Sequence, residues 1–242
     1  MIIKTRGIVL RSQKYSETSL LVDIYTELKG MRSYIISGVR TPKARTHASL
    51  LQIGSLVHIV AYHHDNKDLT RIKEVRPAYL YRRVPFEVTR SSVAMFISEV
   101  AQKVLRGNGE NEALFQFLFD TYTLLDETAF PVRNFHLHFL LEFAAYLGFR
   151  PGGDVTADTP YFDLEEGYFS AQPVTHTNYL TKADSVVLEQ LLNVPQNESH
   201  TVAMSRDQRK QLLLQLLDFY SLHLESMQPV KSHLILEAVL EG

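Results

Sequence analysis

The sequence predicts an α+β fold: a small five-stranded β-barrel first, then an α-helical domain carrying a small loop-rich hairpin lobe. Three observations predict it. Residues 1–80 are broken by glycines and polar turns into short runs rich in β-branched residues. Past Pro77 and Pro85, apolar residues recur at helical spacing. Between 150 and 180 that spacing fails among Pro151, Gly152, Gly153, Pro160, Gly167 and Pro173.

The expected strands are 3–11, 18–26, 31–39, 55–62 and 69–75. A polar turn at 13–17 separates the first two, Gly30 punctuates before the third, Gly54 opens the fourth, and the polar tip 63–68 leads into the fifth. The one long connection, 40–53, lies between the third and fourth strands, and its end, 48–51, is expected to form a short helix. Five strands with a helix in that gap is the order of an OB-fold barrel, although an SH3-like barrel gives similar strand signals. We place the barrel at 1–80 and the helical domain at 81–242, with the loop-rich lobe at 151–180.

Val93, Phe96, Ile97, Val100, Val104 and Leu105 mark the first amphipathic helix, which the glycines at 107 and 109 stop. Leu114, Phe115, Phe117, Leu118, Tyr122 and Leu125 mark the second. A third is expected to open at Pro131 and end at Gly148. Phe135, Leu137, Phe139, Leu140, Leu141, Phe143 and Leu147 cover most of its faces, which makes it the centre of a bundle. In the lobe, strand candidates 161–164 and 168–170 flank the turn Glu165-Glu166-Gly167. Thr181 and Ser205 stand at N-cap positions, and Ser205 with Gln208 makes a capping-box pattern. Leu212, Leu213, Leu216, Leu217, Tyr220 and Leu224 define a long helix, and a last short one covers 232–240.

Composition narrows the chemistry. There is no cysteine, which excludes disulfides, thiol catalysis and thiolate-bound zinc. No apolar run reaches about 18 residues, so no membrane contact is expected. The first ten residues mix charge with β-branched side chains, unlike a secretory leader, so the expected location is cytoplasmic. No phosphate-cradling G-x-x-x-x-G-K-[ST] loop, dinucleotide fingerprint or G-x-S-x-G elbow occurs. His63-His64-Asp65 suits a solvated hairpin tip better than a metal site. His136 and His138 are two apart on a helix and point to different faces, and Glu165-Glu166 suits a turn better than a catalytic pair. No catalytic residue, cofactor or metal is expected.

The net charge of −2 hides an asymmetry. Residues 1–80 hold 13 Lys+Arg against 6 Asp+Glu, and the rest hold 12 against 21. The basic part suits a polyanion and the acidic part suits other partners. The expected DNA-binding residues are Lys4, Arg6, Arg11, Lys14, Tyr15, Arg32, Arg40, Lys43, Arg45, Arg71 and Lys73. Basic side chains neutralise phosphates and release counterions. Tyr15, Tyr25 and Tyr34, interleaved with them, are offered as base-stacking residues, although a lone strand tyrosine is more often core. The loop R-T-P-K-A-R, 40–45, is the firmest candidate, because it has little reason to pack.

With these residues located, the chain resembles the RecO family of bacterial recombination-mediator and DNA-repair proteins. The resemblance is most specific from Gly7 to Arg40: G-I-V-L-R-S-Q-K-Y-S-E-T-S-L-L-V-D-I-Y-T, the Gly30 turn, then S-G-V-R. V-R-N-F-H-L-H-F-L-L-E-F-A-A-Y-L-G-F, 132–149, is similar to the family's central helix, and Lys231-Ser232 also fits. It covers essentially the whole chain and weakens after residue 150. It implies an OB-fold and a helical C-terminal domain. It implies binding to single- and double-stranded DNA and ATP-independent annealing of complementary strands. It also implies contacts with RecR and with the single-strand-binding protein, which together load a RecA-type recombinase. Arg133 resembles the family's arginine suited to the acidic tail of the single-strand-binding protein, with Phe135 and Phe139 on the same helix. Many members carry a four-cysteine zinc site after the central helix. The matching region here, 148–178, has none, so its lobe is expected to hold by packing alone. Two other readings remain: a different OB-fold factor that binds RNA or protein, and a metal-dependent hydrolase or nuclease using 63–65.

Overall fold

The computed structural model describes residues 1–39, 41, 48–63, 69–107, 109–171, 176–225 and 227–241. The chain divides into two compact units, Met1–Glu87 with Ala94–Glu127, and Val88–Val93 with Thr128–Gly242. These units differ from a division at residue 80: the second helix and most of the first belong with the barrel, whose outer face they cover.

In the first unit, β1 (Ile2–Lys14), β2 (Leu20–Thr26) and β3 (Gly30–Ile36) form an antiparallel meander. A 3-10 turn at Ala48–Leu51 precedes β4 (Leu56–Tyr62) and β5 (Leu69–Pro77). β4 joins β1 to β5, and β3 meets β5 in parallel, closing the barrel in the order β1-β2-β3-β5-β4. This is the OB-fold connectivity. β1 serves two neighbours. Its first half pairs with β4 and its second with β2, and the register shifts between Val9 and Arg11. Such a bulge bends the strand around the barrel.

Alternation sends Ile3, Val9, Val22, Ile24, Tyr34, Ile59 and Ile72 inward, with Leu51 packed among them. At Gly7 a Cβ would lie 2.5 Å from Ile24 Cγ2, so this layer admits only hydrogen. Tyr34 is 1% exposed and therefore core, not a stacking platform. Tyr25 has outward parity, paired with Ile8, yet both are fully buried. Its ring meets Phe115 at 6.1 Å, on the helix that covers it.

That covering comes from α1 (Val88–Val104), from Ala94 onward, and α2 (Glu112–Glu127). Asp126, near the end of α2, fastens the segment that leaves the barrel. Its carboxylate accepts from the backbone N–H of Arg82 (2.9 Å), Arg83 (2.8 Å) and Val84 (2.8 Å), and from the Tyr79 hydroxyl (3.2 Å). Burial alone would raise its pKa, but these donors outweigh burial and hold it below the ordinary value.

The second unit is built on α3 (Phe135–Leu147). It starts at Phe135, not at Pro131, because Asn134 is its N-cap residue and the side chain of Asn134 is tied elsewhere. Asn134 donates to the carbonyls of Ser199 and Val202, both at 2.9 Å. Gly148 ends the helix in the left-handed conformation. β6 (Tyr161–Asp163), β7 (Tyr168–Ser170) and β8 (Tyr179–Leu180) form a sheet in the order β7-β6-β8. The hairpin matches expectation; β8, two residues long, carries no sequence signal. There follow α4 (Lys182–Leu192), a 3-10 turn at Gln196–Thr201, α5 (Arg206–His223) and α6 (His233–Glu241). Thr181 and Ser205 cap α4 and α5. The capping box is one-sided, since the Gln208 side chain donates to Asp184 instead of reaching back. Among the described residues, no helix is long and apolar enough to cross a membrane.

The lobe holds by more than packing. Rings of Phe162, Phe169 and Phe219 meet edge to face at 5.0 and 5.9 Å. Asp163 Oδ1 also accepts from the N–H groups of Glu165 and Glu166, which form a turn closed by Gly167. His176 lies 3.5 Å from both Asp163 and Glu165, and Asn178 donates to Glu165 at 2.8 Å.

Candidate nucleic-acid interface

Among the described residues, the cations of the barrel do not form one patch. β1 runs 13 residues, so Lys4 and Lys14 stand roughly 30 Å apart along it. Register decides which side each faces. Lys4 lies beside Val60 and Glu74 on the β1–β4–β5 side, where it lines a groove with His58 and Arg76. Arg11 lies beside Asp23 and Ser33 on the β1–β2–β3 side.

Arg6 leaves the DNA-binding set. Its guanidinium makes a fork with Glu27 (Nε 3.0 Å, Nη2 2.6 Å), donates to Gln116 at 2.9 Å, and lies over the rings of Phe115 and Phe119. The Glu27 hydrogen bonds raise its pKa against burial, and they lower that of Glu27. A cation so engaged fastens the barrel to α2 and has little left for a phosphate.

The β2–β3 side keeps more free charge. Arg11 is exposed, 3.5 Å from Asp23 and hydrogen-bonded to Gln13. Asp23 in turn accepts from Ser33 at 2.6 Å. Arg32 is half-buried, and its Nε makes no hydrogen bond. Arg71 is exposed opposite Ile35, and Lys73 follows it, exposed, at the register shift between β4 and β5. Lys14 and Tyr15 are exposed at the turn between β1 and β2, Tyr15 to 57%. An OB-fold presents nucleic acid to its β2–β3 face and to the loops after β1 and β4. These residues lie on that face or at its margin. Arg40, Lys43 and Arg45 lie outside the described residues. Tyr62, outside the expected set, stands exposed at the end of β4 beside Ile2.

In the second unit, Arg133 is exposed and donates to the His200 carbonyl at 2.8 Å. Phe135 and Phe139 are corrected: they are 1% and 0% exposed, inside the bundle, and cannot meet a peptide. The exposed ring nearby in sequence is Phe130, stacked on His200 at 4.7 Å. A cleft lined by Arg206, Arg209, Lys210, Leu213, Glu237 and Leu240, over His136, places two arginines beside apolar surface, while Lys210 is paired with Glu237 at 3.0 Å. Arg209 donates to Asn134 at 2.8 Å, and its pKa is lowered by burial and by the charges of Arg133 and Arg206.

Burial, with the charge of Arg209, pushes His136 down to about 3. Between that value and the ordinary 6.5, the unfolded chain takes a proton that the folded chain refuses. His136 therefore favours the folded state fully above pH 6.5, and acid removes that contribution at up to roughly 1.4 kcal/mol per pH unit. Urea midpoints should fall from pH 7 to pH 4.5, and less so in His136→Gln. An equal fall in both proteins would count against His136 as the source.

No three His, Asp or Glu side chains among the described residues gather as metal ligands. His63 is buried, with its backbone N–H on the Met1 carbonyl, and His64 and Asp65 lie outside the described residues. The lobe at the place of the zinc site has no cysteine, so its residues do not fit a thiolate-bound zinc.

Comparison with known proteins covers the whole chain. Residues 1–81 match the family model for the recombination protein O N-terminal region, and 85–233 match that for its C-terminal region. A DNA repair protein RecO from Bacteroides fragilis is 32% identical over 242 residues, covering 100% of both chains. The protein of that name from Phocaeicola vulgatus is 33% identical over 96% of both chains. The one from Flavobacterium johnsoniae is 35% identical over 99% of both.

Proposed function

The chain belongs to the RecO family of DNA repair and recombination proteins, and from that premise we propose that it is a cytoplasmic recombination mediator. It binds single- and double-stranded DNA on its barrel and anneals complementary strands without ATP. With RecR and the single-strand-binding protein, it loads a RecA-type recombinase. The observation that carries this reading is the set of exposed cations at the margins of the β2–β3 face, Arg11 on β1 and Arg71 and Lys73 on β5, with Lys14 and Tyr15 at the adjoining turn. The action is physical: cations screen the repulsion between two phosphate backbones, so complementary strands meet more often. Annealing of plasmid-length strands coated with the cognate single-strand-binding protein, without nucleotide, tests it. Acceleration is expected. No acceleration, or equal binding of competitor RNA with no effect on coated DNA, would favour an RNA-binding factor instead.

The second unit receives the acidic tail of the single-strand-binding protein. A tail ending in an apolar residue and a carboxylate needs an apolar cleft and a cation. Arg206 and Arg209 line a cleft with Leu213, Leu240 and one carboxylate, Glu237, and Arg133 lies near enough for its charge to act on Arg209; these stand in place of the buried Phe135 and Phe139. Arg133→Ala should weaken a tail peptide about tenfold, the scale of one charged hydrogen bond. An unchanged affinity removes Arg133 from the receptor.

A further inference from the structure

The β2–β3 side of the barrel carries an open groove of about 520 Å³ whose second wall is helical. Arg11, Asp23, Arg32 and Ser33 line it from the strands, and Gln102 and Arg106 line it from the end of α1 and just beyond. All of these residues belong to the first unit. Arg11 and Arg106 stand there with one carboxylate, Asp23, which already accepts from Ser33 and lies 3.5 Å from Arg11. Arg32 touches the groove from β3, but it pairs with Ile24 and alternates with Tyr34, both turned inward, so its side chain has inward parity. Arg106 is exposed, with no side-chain ion pair or hydrogen bond among the described residues. The carbonyls ending α1 oppose an anion only weakly, and Leu105 N–H already engages one on Ala101. The groove therefore holds more positive than negative charge, with the Arg106 guanidinium uncommitted among the described residues, which suits an anion.

We propose that Gln102 and Arg106 complete, with Arg11, a subsite for one backbone phosphate of a single DNA strand. This rests on the reading of the barrel as a DNA-binding surface and extends the contact beyond it onto α1. A strand is the occupant because the same outer face continues past the groove. Ser33 leads to Ile35 along β3, and Ile35 pairs with exposed Arg71 on β5.

The test is salt-dependent anisotropy of a labelled 20-nucleotide single strand with the full chain. Loss of one phosphate contact lowers the logarithmic salt slope by about 0.7. Arg106→Ala should show that drop with several-fold weaker binding at low salt, and Arg106→Lys should restore most of the slope. Arg76→Ala removes the same charge from the β1–β4–β5 side and should leave the slope unchanged. If Arg106→Ala behaves like Arg76→Ala while the unaltered protein keeps a steep slope, the subsite is wrong and the DNA reading stands. If the unaltered protein shows no slope, both fall.

Discussion

Reversing three charges, Arg40→Glu with Lys43→Glu and Arg45→Glu, should abolish strand annealing and weaken single-strand binding about 100-fold or more at low salt. Each phosphate contact on a single strand contributes a salt exponent of about 0.7, so three contacts near 50 mM salt amount to more than two decades. The new carboxylates add repulsion. These residues lie outside the described part of the chain, so the expectation rests on their charge, on Pro42 between them, and on the OB-fold barrel they interrupt. Circular dichroism should be unchanged, because the three substitutions exchange one charged side chain for another and remove no apolar one. Unimpaired annealing by the triple variant would clear the loop of any role.

The largest expected loss of stability comes from Asp126→Ala. One carboxylate receives the N–H groups of Arg82, Arg83 and Val84 and the hydroxyl of Tyr79. Removing it orphans the buried N–H of Val84 and the part-buried N–H groups of Arg82 and Arg83, while the Tyr79 hydroxyl keeps Glu127, so at about 1–3 kcal/mol for a buried donor and less for the others a total near 3 kcal/mol is expected. The sign with pH follows from its lowered pKa: the contribution is complete above the unfolded value of 3.8 and is lost as acid protonates the folded carboxylate. Urea unfolding of Asp126→Ala at pH 7 gives the magnitude. A loss below about 1 kcal/mol would mean that water replaces the carboxylate without penalty.

Much of the fold was legible because its signals are local. Gly30 and Gly54 mark strand limits, the short helix in the long connection falls at Ala48–Leu51, and Thr181 and Ser205 cap the helices they were assigned. What escaped depends on distant partners. Nothing near Arg6 in sequence says that Gln116, Phe115 and Phe119 will surround it. Tyr25 has the parity of a surface residue and loses its surface only because α2 lies over it. Phe135 and Phe139 follow a plausible anchoring arginine, yet a helix apolar on most faces has few faces left for a ligand. Asp126 reads as an ordinary charge at a helix end until the turn at 82–84 is placed beside it. The site divides the same way: charge was legible as a total, but the side on which each cation stands was set by the bend in β1 and by pairing.

The central claim is that cations of the N-terminal barrel hold DNA by its phosphates, and the most direct measurement is single-strand affinity between 50 and 200 mM salt. A logarithmic slope of about −2 or steeper is expected from three or more contacts. An affinity that stays level across that range would contradict it.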